Sequence, residues 1–83
     1  MKLPSLSLNG TSARPLFDSY TEARTSLRKS IALLQETWPH ARDYSSEDWP
    51  VAVAEHEDRL RRLLTVCLEL GDLAEHSYTG IKR

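Results

Sequence analysis

PVAVAEHEDRLRRLLTVCLELGDLAEHSY, residues 50–78, is the most regular stretch of the chain. Its apolar side chains alternate at intervals of three and four residues, the a and d spacing of a helix that packs along one seam. Pro50 follows serines and acids and suits the first turn of a helix. We therefore predict a helix over residues 50–78, with these a and d positions: Val53, His56, Leu60, Leu63, Cys67, Leu70 and Ala74.

A second helical stretch precedes it, over residues 13–38. Apolar residues again recur every three or four positions, and Pro39 ends the pattern because its ring cannot continue a helix. Residues 39–49 have no period and form the connecting loop, which makes the helices antiparallel neighbours. The fold class is all-α, an antiparallel two-helix hairpin over residues 13–78. Its first helix carries this stripe: Leu16, Tyr20, Ala23, Leu27, Ile31, Leu34 and Trp38.

The two ends of the chain flank this hairpin. Residues 1–12 place Leu6 and Leu8 on one side of an extended segment and contain an Asn-Gly turn at residues 9–10. We interpret this segment as an extended N-terminal arm that is too short to fold alone. Gly80 is typical of a helix stop, so residues 79–83 are predicted to be a tail.

A chain of 83 residues builds only a small core. Such a core supplies roughly 3 to 5 kcal/mol unless a second subunit or another staple helps. Residues 63–74 are apolar around most of the helix circumference, more than one neighbouring helix can cover. The arm folding back or a second copy can cover this surface; we expect both, with a homodimer forming a four-helix bundle. The predicted self-association residues are Leu63, Val66, Leu68, Leu70 and Leu73.

Composition excludes several function classes. Eleven basic against twelve acidic residues give a net charge of −1, which disfavours general nucleic-acid binding. No run approaches the roughly 20 apolar residues that cross a bilayer, and residues 1–12 do not have the pattern of a signal peptide. We therefore expect no membrane association and a cytoplasmic location.

The hairpin sorts the charges along its length. A fold at residues 39–49 places position 28 near 60 and position 18 near 70, so arginines of both helices share one level. We call this set the basic waist: Arg24, Arg28, Arg59, Arg61 and Arg62. An acidic end follows it, with Asp18, Glu22, Glu69, Asp72 and Glu75. On the outer face of the second helix, the i, i+4 spacing predicts three ion pairs: Glu55 with Arg59, Glu57 with Arg61 and Asp58 with Arg62. These charges either face water or set the waist against an acidic surface, as in an antiparallel dimer.

Catalytic and metal chemistry have little support in the sequence. Two helices offer little concavity for an active site, so we predict no enzyme, no catalytic residue and no cofactor. Cys67 falls in the apolar stripe, where a thiol behaves as a small hydrophobe. His40, His56 and His76 do not show the spacing that puts two metal ligands on one helix face, so no metal site is predicted. His56, at a d position, is either a buried polar residue that fixes the register or the edge of the core, and we favour the second interpretation.

The connecting loop is the richest candidate contact surface. It brings together residue types that dominate binding hot spots, both tryptophans among them. The alternative is that the tryptophans cap the small core while Arg42 and Asp43 pair locally. The predicted partner-binding residues are Trp38, His40, Arg42, Tyr44 and Trp49.

Three short motifs carry a family resemblance: Leu-Asn-Gly-Thr-Ser at 8–12, Arg-Asp-Tyr at 42–44, and the Glu-His steps at 55–56 and 75–76. With these the chain resembles small helical proteins of bacteriophage and mobile-element genomes. The resemblance implies no activity and no catalytic residue. It implies action by binding a host or phage protein, as anti-CRISPR-like inhibitors of bacterial defence systems do.

The sequence therefore predicts a non-catalytic protein-binding module, a phage-encoded adaptor or inhibitor. A small RNA- or DNA-binding dimer that uses the basic waist is the main alternative, and steep loss of binding with salt would favour it. A structural or assembly subunit is the third, and it predicts larger oligomers.

Overall fold

The computed structural model describes residues 1–6 and 12–81. Two helices, α1 (Ala13–Gln35) and α2 (Asp48–Ile81), run antiparallel and are joined through a 3₁₀ turn at Ala41–Asp43. At 1.5 Å per residue they are about 35 and 51 Å long. The described residues contain no strand. The predicted all-α hairpin is confirmed.

Helix α1 ends three residues earlier than predicted, at Gln35 rather than Trp38. The backbone N–H groups of Glu36 and Thr37 donate to Leu33 and Leu34, three residues back, at 3.1 and 3.0 Å. Such bonds tighten the last turn and end the helix. The residue before a proline is driven out of the helical region, so Trp38 could not have continued it.

Helix α2 begins at Asp48, two residues before the predicted start at Pro50. The Ser45 hydroxyl accepts a hydrogen bond from the backbone N–H of Asp48 at 3.1 Å, and the Ser45 carbonyl accepts one from Trp49 at 3.0 Å. Ser45 thereby acts as the N-cap of the helix. Pro50 is the third residue of α2 and lies within its first turn, where a proline is tolerated.

Helix α2 also ends later than predicted, at Ile81 rather than at residue 78. The described part of the predicted 79–83 tail is therefore helical. Gly80 does not stop the helix; it is buried against the N-terminal arm and the start of α1. A Cβ added at Gly80 would come within 2.6 Å of Leu6 Cδ1 and 2.9 Å of Ala13 Cβ. Here a glycine serves close packing rather than helix termination.

The N-terminal arm folds back onto the end of α2. His76 Nε2 donates a hydrogen bond to the Pro4 carbonyl at 2.8 Å, which fixes the tautomer of that ring because a carbonyl only accepts. Met1 and Leu3 line a groove with α2 side chains from Asp72 to Thr79. The predicted Leu8 position and the Asn-Gly turn at 9–10 lie outside the described residues.

The register of the two helices differs from the prediction by about two turns. The Phe17 and Tyr78 rings lie 5.5 Å apart, and Arg24 lies beside Gly71. Position 24 is therefore opposite 71, whereas the prediction placed 28 opposite 60. The first turns of α2 extend beyond the end of α1, and residues 36–47 lie along these turns.

The core is small and lies along the single seam. Ile31, Leu60 and Cys67 form its buried centre, with Leu27, Leu34 and Leu63 partly buried around it. Ala74 and Ala13 are buried toward the arm end. Ala23 was predicted to lie in this seam, but it is exposed, because it lies about 80° around the α1 axis from the buried Ile31.

Candidate binding surfaces

Three aromatic side chains are exposed at the loop end of the rod. Trp38, Tyr44 and Trp49 keep 40%, 45% and 37% of their accessible surface. Trp49 Nε1 donates to the Pro39 carbonyl at 3.1 Å, which ties the start of α2 to the connecting segment. The Trp38 ring meets the His56 ring edge-on, with centroids 5.0 Å apart. The tryptophans are thus held in place yet keep open area, a combination typical of binding anchors.

The other predicted partner-binding residues lie on the same segment. Arg42 is within the 3₁₀ turn, which is closed by bonds from Asp43 N to the His40 carbonyl (3.0 Å) and from Tyr44 N to the Ala41 carbonyl (3.3 Å). His40, Arg42 and Tyr44 are all exposed. Arg42 and Asp43 form no ion pair within the described part of the chain. We call the five residues at this end, Trp38, His40, Arg42, Tyr44 and Trp49, the aromatic end.

His56 lies beneath the aromatic end, and its burial is the less favoured of the two predicted alternatives. Only 3% of the residue is exposed, so its interpretation as the edge of the core is wrong. Its Nε2 has no hydrogen-bond partner within the described structure. The sequence signal was the d position itself, and burial followed because Trp38 closes over it.

The basic waist does not form one level. The shifted register places Arg24 opposite Gly71, while Arg61 and Arg62 lie about two and a half to three turns nearer the loop. Arg24 instead lines a groove of about 400 Å³ with Glu75, a residue of the predicted acidic end. Arg28 and Arg59 are exposed. The predicted shared level is therefore wrong.

Part of the waist is neutralised within α2. Asp58 forms ion pairs with Arg61 and with Arg62, the second at 3.1 Å, so the predicted 58–62 pair is confirmed. The hydrogen bond from Arg61, aided by the two positive charges, lowers the pKa of Asp58 below its usual value. Arg61 pairs with Asp58 rather than with Glu57, its predicted partner. This pairing weakens the waist as a site for phosphate groups.

The predicted self-association residues divide between two sides of α2. Leu68 is 69% exposed and lies four residues after Leu64, on the side of the groove that Gly71 and Glu75 line. Val66, Leu70 and Leu73 follow a separate line on the opposite side, together with Leu63. Leu63, Leu70 and Leu73 are half-buried, and Val66 is 45% exposed.

The described part of the arm, residues 1–6, does not cover either side of the predicted apolar surface at residues 63–70. Its described contacts are with α2 from Asp72 to Gly80. Of the two covers expected from the sequence, the arm accounts only for the last turns of α2.

The described residues offer few candidates for a metal site, a reactive thiol or a membrane-spanning helix. Residues 1–6 and 12–81 hold no cluster of three or more potential metal-ligating side chains. Cys67 is a buried free thiol in the core. Within the same ranges, neither helix combines the length and apolar character needed to cross a membrane.

Comparison with known proteins gave no match among protein-family models, curated proteins or solved structures. The resemblance to small bacteriophage proteins stays a prediction.

Proposed function

We propose that this chain is a non-catalytic protein-binding module that forms a homodimeric four-helix bundle and contacts a partner protein through its aromatic end. The observation that carries the proposal is the accessible surface of 6225 Å². A compact protein of 9.5 kDa exposes about 5,000 Å². The surplus of about 1,200 Å² exceeds the roughly 800 Å² that one partner buries in a standard protein interface.

The shape of the molecule leads to the same conclusion. Its radius of gyration is 18.0 Å, against about 12 Å for a compact domain of this length. A rod of two helices leaves much of each helix uncovered, and stable domains usually bury such faces in a second layer. A second copy supplies that layer without any further sequence.

The aromatic end supports binding of a different protein. Its aromatic and arginine side chains are the types enriched at interface hot spots, and they lie on a short, hydrogen-bonded segment. Trp38 closes the core by packing on His56. The other residues of the aromatic end are not needed to cover the core. The resemblance to bacteriophage proteins makes a component of a bacterial defence system the first partner to test.

Catalysis is not part of the proposal. The two main concavities are shallow grooves open to solvent, one beside the arm and one beside Arg24. An active site requires groups held in a pocket that excludes water. The nucleic-acid alternative loses support because the arginines are separated in level and two of them pair with Asp58.

A double variant tests the aromatic end. Arg42→Ala combined with Tyr44→Ala changes two exposed side chains, so we expect unchanged helix content and loss of binding to captured host proteins. Arg14→Ala, on an exposed residue near the opposite end of the rod, is the matched control and should retain binding. Binding that survives the double variant would contradict the proposal, as would a melted hairpin.

A further inference from the structure

The hairpin is a single layer of two helices, with extents of 60 × 21 × 12 Å. The thinnest dimension is that of one helix. Such a layer has two broad faces, and the seam between the helices is covered on neither face by another helix. The residues that line each face decide which one a second layer can occupy.

One face is identified by the groove beside Arg24. Phe17, Thr21 and Arg24 of α1 meet Gly71, Glu75 and Tyr78 of α2 there. Helical spacing places Arg28, Leu64 and Leu68 on this same face. It therefore mixes a small apolar patch with charges of both signs, and the arm borders it from Asp72 to Thr79. We call it the charged face.

The opposite face carries no charged side chain over about three turns, residues 63–73 of α2 and 19–30 of α1; Arg59 continues the line one turn nearer the loop. On α2 its residues form an apolar ridge, and on α1 they are small, since positions 19, 23, 26 and 30 follow one another at helical spacing. We call this the uncharged face: Ser19, Ala23, Ser26 and Ser30 of α1, with Leu63, Val66, Leu70 and Leu73 of α2.

The serines of this face are compatible with burial. Ser30 Oγ donates to the Ser26 carbonyl at 3.3 Å, so its hydroxyl keeps a hydrogen bond when water leaves. All four small α1 residues are exposed in the single chain. Their size leaves a shallow channel beside the α2 ridge, into which larger side chains fit.

We infer that a second copy packs on the uncharged face, with the two-fold axis parallel to the rod. This inference rests on the proposed dimer and names its surface. Rotation about that axis lays the ridge of each copy in the small-residue channel of the other. Position 24 lies opposite 71, so Val66 falls at the level of Ser26 and Ser30 of the second copy.

The alternative axis, across the rod, fits less well. It would stack α2 on α2 and α1 on α1, so that one pair of helices is held apart by leucines while the other pair meets through serine and alanine. The parallel axis gives every helix antiparallel neighbours and equal spacing, as in four-helix bundles. It also places both aromatic ends at the same end of the dimer.

The charged face is the poorer site for a second copy. Docking there would remove water from Arg24, Arg28 and Glu75, and burying charges is unfavourable unless each is well paired. Its exposed apolar area comes from Leu64, Leu68 and Tyr78. If exposure alone determined the dimer interface, Leu68 would lie in it, because it is the most exposed leucine of the described residues. A substitution at Leu68 is therefore a strict control.

Sedimentation equilibrium of the full chain tests the surface. Val66→Glu places a charge in the ridge and should raise the dimer dissociation constant by at least about 100-fold. Leu68→Glu, on the other face, should change it by less than about threefold. Circular dichroism checks that helix content is unchanged. Ser26→Arg, on exposed α1, is a second variant that should weaken the dimer without touching the core.

The outcomes separate the two proposals. A wild-type chain that stays monomeric overturns both the proposed dimer and this inference. A wild-type dimer that resists Val66→Glu and Ser26→Arg, or that is weakened equally by Leu68→Glu, overturns the uncharged face alone.

The axis is tested by a distance measurement. A spin label at Asp43→Cys, in a Cys67→Ala background, reports the separation of the two loop ends. The parallel axis predicts a separation below about 30 Å, because helices in a bundle are 8–10 Å apart. A separation near the 60 Å length of the rod would overturn the parallel axis.

Discussion

His56 is the residue whose environment is least favourable. It is buried, and its Nε2 makes no hydrogen bond within the described structure. A buried polar atom without a partner costs roughly 1 to 3 kcal/mol. We therefore expect His56→Leu to raise the free energy of unfolding by about 1 kcal/mol, as measured by urea denaturation.

Leu60→Ala is the control for that experiment, since it removes apolar volume from the same seam. It should lower the free energy of unfolding by about 2 to 5 kcal/mol. If His56→Leu lowers stability as well, the edge-on contact with Trp38 outweighs the cost of the unpaired Nε2, and our account of this site is wrong.

The two helical glycines within the described structure provide a matched pair. An added Cβ at Gly80 would clash with Leu6 and Ala13, whereas one at Gly71 meets only the flexible Arg24 side chain, at 3.4 Å. Gly71→Ala should stabilise the chain by up to about 1 kcal/mol through helix propensity. Gly80→Ala should destabilise it and loosen the arm, seen as faster amide exchange of residues 2–6. Equal effects of the two variants would contradict the packing described for Gly80.

At the scale of elements, the helices were predictable from the sequence because their apolar period is local. The register was not, because it depends on the path of the connecting segment. A direct turn would place 28 opposite 60, but residues 36–47 run along the start of α2 and bond to it through Trp49 and Pro39. That path shifts the seam and divides the basic waist.

The same shift limits what could be predicted of the candidate surfaces. The residues of the aromatic end were expected to lie together because they are close in sequence, and the structure places them at one end of the rod. Their role in binding stays a prediction. The self-association residues were chosen by hydrophobicity, which cannot tell that Leu68 and Val66 lie on different faces. That distinction follows from Arg24 and Gly71 sharing a groove.

The start of α2 depends on a single cap. The Ser45 hydroxyl accepts the hydrogen bond from Asp48 N–H, so Ser45→Ala should reduce the free energy of unfolding by about 1 kcal/mol. Ser46→Ala is the control, because the Ser46 hydroxyl bonds to none of the described residues. Thermal denaturation of both variants measures the difference. Equal melting temperatures would show that Ser45 is not the cap.

At the scale of the whole molecule, the sequence predicts more apolar surface than a two-helix core can bury. The structure shows which part of that surface stays uncovered. Ile31, Leu60 and Cys67 form the centre of one narrow seam, while leucines on both sides of α2 remain open. Among the residues that the structure describes, the arm contacts the end of that helix. The identity of a partner could not be predicted, because the residues of the aromatic end specify a type of contact and not a particular protein.

The mass of the wild-type chain in solution tests the central claim most directly. Sedimentation equilibrium at tens of micromolar should give twice the 9.5 kDa mass of one chain, falling toward a single chain on dilution. The dimer should persist in high salt, because the uncharged face holds it together through apolar and serine side chains. A mass of 9.5 kDa throughout that concentration range would contradict the account.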